Sequence, residues 1–169
     1  HPMRGIPYDP ATPNIEPMTT TATMAAVTEE LRFMTYAYVM GMRDPFTVAK
    51  QTAALSDLTN NRFALGITPG WNTDEIALLG HNPKTRGKRF VESINIIKGL
   101  WENDLFSFDG EHYQFKDVGI SSRPLKSPAI YIGGNSPIVI KRAASNSGWI
   151  GMNHPLDELE ELVGKLDSL

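Results

Sequence analysis

Ala129-Ile-Tyr-Ile-Gly-Gly-Asn-Ser-Pro-Ile-Val-Ile-Lys-Arg-Ala-Ala-Ser-Asn146 is the stretch on which the fold turns. Ala129 to Ile132 is an apolar run without polar alternation, the pattern of a strand buried on both faces, and Pro137 to Asn146 reads as a helix. Two glycines, a small polar pair and a proline separate them. Ser136 stands where a helix N-cap belongs, and Pro137 occupies the first helical position, where a missing N–H costs nothing. The same turn is a candidate anion cradle: glycine lets backbone N–H groups approach a ligand, and a helix N-terminus carries partial positive charge. A plain strand-to-helix turn and a phosphate cradle fit the pattern equally well.

The alternation continues on both sides. Downstream, Trp149 to Met152 reads as another buried strand and Pro155 to Leu169 as an amphipathic helix with leucines at 156, 159, 162 and 166. Upstream, Met18 to Glu30 reads as a helix and Leu31 to Met42 as a long buried strand. Asp44 and Pro45 then cap and open a helix. Arg62 to Ile67 is a further buried strand, followed by a short helix at Asp74 to Leu79 and a long one over Thr85 to Asn103. Phe106 to Phe115 alternates around Asp109-Gly110, which predicts a hairpin closed by a tight turn with positive φ angles. Strand and helix in regular succession, with buried strands, predict an α/β fold with a parallel sheet and helices outside it.

With 169 residues, 41% of them hydrophobic and 21% charged, the chain has the composition of one globular domain. Residues 1–17 read as an irregular, proline-rich loop, and residues 104–128 as a hairpin insertion with its connector. A formal net charge of -3 argues against a nucleic-acid partner. No apolar run approaches the roughly 20 residues of a membrane span, and His1 to Pro17 lacks the look of a signal peptide, so a cytoplasmic protein is expected. The absence of cysteine removes thiolate chemistry and fits a reducing compartment. His81, His112 and His154 have no partners at metal-ligand spacing, so no metal site is predicted.

Two further segments invite a ligand. In Gly66-Ile-Thr-Pro-Gly-Trp-Asn-Thr, small residues at a strand end leave room for a flat molecule that Trp71 would wall; the alternative is a turn at Gly70 with Trp71 in the core. Strand alternation places Tyr36 and Tyr38 on one face and Ala37 on the other, either lining a ring cavity or filling the core. Arg86, Arg89 and Glu92, three residues apart, predict a solvated ion-pair face of the long helix.

Seven segments in order carry a resemblance: Ala26-Val-Thr-Glu-Glu-Leu-Arg-Phe, Arg43-Asp-Pro-Phe-Thr-Val-Ala-Lys-Gln, Asn61-Arg-Phe-Ala-Leu-Gly, Gly70-Trp-Asn-Thr-Asp-Glu, Arg86 with Arg89, Phe108-Asp-Gly-Glu-His-Tyr and Ile132-Gly-Gly-Asn-Ser-Pro. Together they resemble the luciferase-like monooxygenase family, most closely its deazaflavin-dependent class. The resemblance implies a (β/α)8 barrel of the TIM type. It also implies FMN or a deazaflavin at the C-terminal ends of the strands, hydride transfer at the cofactor ring and a small-molecule substrate. By the same resemblance, Tyr36-Ala37 marks a bulge beside the ring, often with a non-prolyl cis peptide. Gly70, Trp71 and Asn72 match a contact to ring edge and tail, with Thr68 just before them, and Gly133, Gly134, Asn135 and Ser136 match the phosphate turn. His1 falls where several members carry a histidine at the reacting face.

The chain departs from the family pattern in two ways. Gly66-Ile-Thr-Pro-Gly-Trp stands where members carry Gly-x-Gly-x-Gly-Trp, and only about strands three to six of the barrel are covered. A barrel of this type takes about 250 residues. The expected forms are therefore a partial barrel or a half-barrel completed by a homodimer. A non-catalytic flavin-binding scaffold is the alternative to an oxidoreductase.

Overall fold

The computed structural model describes residues 15–152 and 154–169. In chain order the elements are α1 (Pro17–Ala26), β1 (Phe33–Met34), β2 (Tyr38–Val39), a 3-10 turn at Met40–Met42, α2 (Pro45–Leu58), β3 (Phe63–Thr68), α3 (Thr73–Leu78), a 3-10 turn at Pro83–Thr85, α4 (Arg86–Glu102), β4 (Phe106–Asp109), β5 (Gln114–Val118), β6 (Ala129–Gly133), α5 (Pro137–Ala144), β7 (Gly148–Ile150) and α6 (Leu156–Asp167). The main sheet is parallel in the order β1-β3-β6-β7, with β2 pairing the far end of β3. Each strand lies beside its predecessor in this sheet and is joined to it by a crossover through helix, the α/β arrangement expected.

Local chemistry explains where the helices begin. The Asp44 carboxylate accepts the Thr47 N–H at 2.8 Å with Pro45 next in line, and Asn72 Oδ1 accepts from the N–H groups of Asp74 and Glu75. One face of the sheet sends Phe63, Leu65, Ile67, Ile130 and Ile132 into the core. There they meet Val48 and Ala49 of α2 and Ile96, Ile97 and Leu100 of α4. The Trp101 indole N–H is satisfied inside this core by the Ala49 carbonyl at 3.0 Å.

The other face is open. Ala64, Thr68, Ala129 and Tyr131 are half-buried, not buried as a two-faced strand would be. A groove of about 670 Å³ runs along it, with Met34, Tyr36, Tyr131 and Ile150 in its walls.

Three local expectations are corrected. Leu31 to Met42 is not one strand: it pairs only at Phe33–Met34 and Tyr38–Val39, because the chain bulges between them and then winds into the 3-10 turn. The hairpin at 106–118 lacks the tight turn. Asp109 pairs with Gln114, and Gly110 is not among the positive-φ glycines of the described residues. The Glu92 carboxylate holds the loop from outside, accepting the N–H groups of Glu111, His112 and Tyr113 at 3.0–3.3 Å. Arg86, Arg89 and Glu92 consequently form no ion-pair face. Arg89 is buried and donates to the Gly41 carbonyl, and Arg86 donates to the carbonyls of Gly70 and Pro83.

Candidate cofactor site

Parallel strands bring all their C-terminal ends to one rim, where a barrel of this class binds its ligands. On this rim the bulge after β1 lies across β3. The Thr35 hydroxyl donates to the Gly66 carbonyl at 2.8 Å and accepts the Gly66 N–H at 3.0 Å. Gly66 is required here: a Cβ at this position would overlap the Thr35 carbonyl oxygen and lie 2.6 Å from Ile150 Cδ1. The Tyr36–Ala37 peptide is cis.

The bulge separates the two tyrosines that strand alternation would have kept together. Tyr36 is 68% exposed and reaches across the open face to donate to the Gly151 carbonyl at 2.8 Å, whereas Tyr38 is only 5% exposed. The Tyr38 hydroxyl donates to Glu16 Oε1 at 3.3 Å, and the Arg43 guanidinium stacks 3.7 Å over its ring. Burial pushes the Tyr38 hydroxyl pKa up, partly offset by the Arg43 charge. A cavity of about 230 Å³ lies against Thr35, Tyr36, Ala37, Val39 and Arg43.

Ala37, Thr68 and Gly133 converge on the rim. A Cβ on Gly133 would lie 3.4 Å from Ala37 Cβ and 3.8 Å from Thr68 Cβ, so small residues from the bulge, β3 and β6 make one shallow floor. Beside it, Gly70 has φ +93° and Trp71 is 62% exposed, which overturns the reading of Trp71 as a core aromatic. Asn72 caps α3 through its oxygen, while its buried Nδ2 has no partner among the described residues.

At the Gly133–Pro137 turn, Gly134 takes φ +131° and Ser136 is the N-cap of α5, but its hydroxyl makes no capping bond. Among the described residues, the backbone N–H groups of Asn135, Ser136 and Ile138 donate to no protein group, whereas the Gly134 N–H faces the Ile150 carbonyl at 3.4 Å. Gly134 therefore serves the turn by its conformation, not as a donor. Donors free at a helix N-terminus fit a phosphate, and the small-residue floor next to them fits a flat ring.

The structure thus brings Ala37, Thr68, Gly133 and the Gly134–Ser136 turn to one rim with Gly70, Trp71 and Asn72 at the end of the same β3. His1 lies outside the described residues. Gly66, read from the sequence as room for a flat ligand, instead seats the Thr35 bulge. Sequence reasoning missed Trp149, whose indole N–H donates to the Gly134 carbonyl at 2.6 Å. A tryptophan between Gly148 and Gly151, on a strand adjoining the turn, was the available signal.

The sequence profile of the luciferase-like monooxygenase family matches residues 4–168. The chain belongs to the luciferase-like monooxygenase family. An uncharacterised protein of Mycobacterium tuberculosis is 36% identical over 158 residues, covering 93% of this chain and 54% of that protein. An FMNH2-dependent dimethylsulfone monooxygenase of Pseudomonas fluorescens is 32% identical over 149 residues, covering 86% of this chain and 40% of that protein. An F420-dependent glucose-6-phosphate dehydrogenase of Amycolatopsis mediterranei is 37% identical over 103 residues, covering 59% and 31%. The fold matches that of the crystallised monooxygenase RslO1 from Streptomyces bottropensis with a TM-score of 0.81 at 21% identity, over 90% of this chain and 48% of that one. This luciferase-like chain thus spans about half the length of the relatives it matches. No helix among the described residues is long and apolar enough to cross a membrane.

Proposed function

We propose that this luciferase-like chain is the cofactor-binding part of a flavin- or deazaflavin-dependent oxidoreductase acting on a small molecule. The observation that carries the reading is the set of unpartnered N–H groups of Asn135, Ser136 and Ile138 at the start of α5, next to the Ala37–Thr68–Gly133 floor. Those amides would hold the cofactor phosphate, and the ring would lie between the Tyr36–Ala37 bulge and Trp71. A bound flavin or deazaflavin supplies hydride transfer at its ring; the protein holds and orients it. His1 is proposed at the reacting face by resemblance alone.

Relatives named for FMNH2 and for F420 support both cofactors, which share a tricyclic ring and a ribityl phosphate. Titration with FMN and with the deazaflavin should give a coloured complex, and turnover of the reduced cofactor with an acceptor separates an enzyme from a binding scaffold. Uptake of neither cofactor refutes the reading. The open inner face, with Met34 and Tyr36 exposed, supports a homodimer of the isolated chain. A molar mass of one chain in light scattering overturns that part. The cytoplasm is the proposed compartment, tested by fractionation.

A further inference from the structure

Gly134 is held at both ends by β7. Its N–H faces the Ile150 carbonyl at 3.4 Å, and its carbonyl accepts the Trp149 indole N–H at 2.6 Å. A trans peptide is planar, so the Gly134 carbonyl and the Asn135 N–H lie in one rigid plane and point in opposite directions. Fixing the carbonyl toward Trp149 fixes the Asn135 N–H away from it. The indole itself is clamped. Its six-membered ring lies 2.9 Å from where a Gly151 Cβ would be, and the His154 ring packs 5.8 Å away, centroid to centroid. His154 is only 3% exposed in its side chain, and its Nδ1 is 3.2 Å from Glu158 Oε1. The Gly151 carbonyl also receives the Tyr36 hydroxyl at 2.8 Å, so the Tyr36–Ala37 bulge and the turn before α5 are both tied to the short stretch Trp149 to Gly151.

We infer that Trp149 is a positioning residue: by holding the Gly134 carbonyl it aims the Asn135 N–H at the cofactor phosphate. The inference rests on the phosphate reading above. It is tested on the full chain with two ligand pairs, FMN against riboflavin and the phosphorylated deazaflavin against its dephospho form. W149F removes the N–H and keeps an aromatic ring, and G151A pushes the indole off its seat. Each should lower affinity for the phosphorylated ligand about tenfold, the scale of one lost hydrogen bond, with the dephospho ligand unchanged. An unmutated chain that does not prefer the phosphorylated forms refutes the phosphate reading itself. A chain that does prefer them, with W149F and G151A keeping the full preference, overturns only the role of Trp149. If neither variant folds, the Trp149 indole N–H resonance of the unmutated chain decides. It should shift with FMN and stay in place with riboflavin, and indifference to both overturns the inference.

Discussion

Replacing Gly66 with alanine should be the most damaging single-methyl change in the sheet. The added Cβ would overlap the Thr35 carbonyl oxygen and press within 2.6 Å of Ile150 Cδ1. Backbone on one side and a packed isoleucine on the other leave little room to yield, which puts the overpacking cost at about 1–3 kcal/mol. The Thr35 hydroxyl exchanges two buried hydrogen bonds with Gly66, at 2.8 and 3.0 Å, and displacement of the bulge would break both. At about 0.5–1.5 kcal/mol net for each, the total reaches about 4 kcal/mol. For a chain of this size that corresponds to a fall in Tm of about 10 °C. The assay is thermal and urea unfolding of G66A beside G164A. Gly164 lies in α6 with nothing within 4 Å of an added Cβ, so alanine there should raise stability by about 0.5–1 kcal/mol. A G66A protein within about 1 kcal/mol of the parent would show that the bulge does not rest on β3 as described.

Further outcomes follow from the same geometry. E92A strips the Gly110–Tyr113 loop of its acceptor and leaves the N–H groups of Glu111, His112 and Tyr113 without one; about 2 kcal/mol and faster amide exchange at those residues are expected. D44A removes the cap on the Thr47 N–H and should cost about 1 kcal/mol in urea unfolding. Burial of the Glu16 carboxyl raises its pKa, but hydrogen bonds from Thr19 and Met18 outweigh this and hold it below its usual value. A depressed carboxylate stabilises the fold above its unfolded pKa and loses that contribution as pH falls through the folded value. Stability should therefore decline on acidification below about pH 4.5 less steeply in E16Q than in the parent. Burial, reinforced by the Arg89 charge, lowers the pKa of His81, so stability is also lost as pH falls from about 6.5; H81N should flatten that limb of a pH-stability curve.

The strand at Leu31 to Met42 shows where reading by pattern stops. An apolar, β-branched run predicts an extended buried segment, and nothing local marks a bulge between Thr35 and Ala37 except the family resemblance. The bulge forms because Thr35 finds Gly66, 31 residues away, and Gly66 has no Cβ to refuse it. Arg86, Arg89 and Glu92 teach the same lesson on a helix. Their spacing places them on one face, but each is satisfied by a carbonyl or amide from another part of the chain, at separations of up to 48 residues. In the site, the glycines, Ser136 and Pro137 were legible because a strand-to-helix turn needs those residue types locally. Trp149 was not, since its hydrogen bond to Gly134 spans β6, α5 and β7.

The sequence by itself determined the order of elements, the helix starts at Asp44-Pro45 and Ser136-Pro137, the parallel α/β class and the family. Each of these rests on periodicity, capping or motif, which act over a few residues or in fixed order along the chain. Only the tertiary structure decided that Tyr36 and Tyr38 part company, that Trp71 stands exposed, and that β7 holds both the N–H and the carbonyl of Gly134 in the turn before α5. Those outcomes depend on which groups meet across the sheet, and hydrogen-bond donors and acceptors far apart in sequence have no local signature until the fold brings them together.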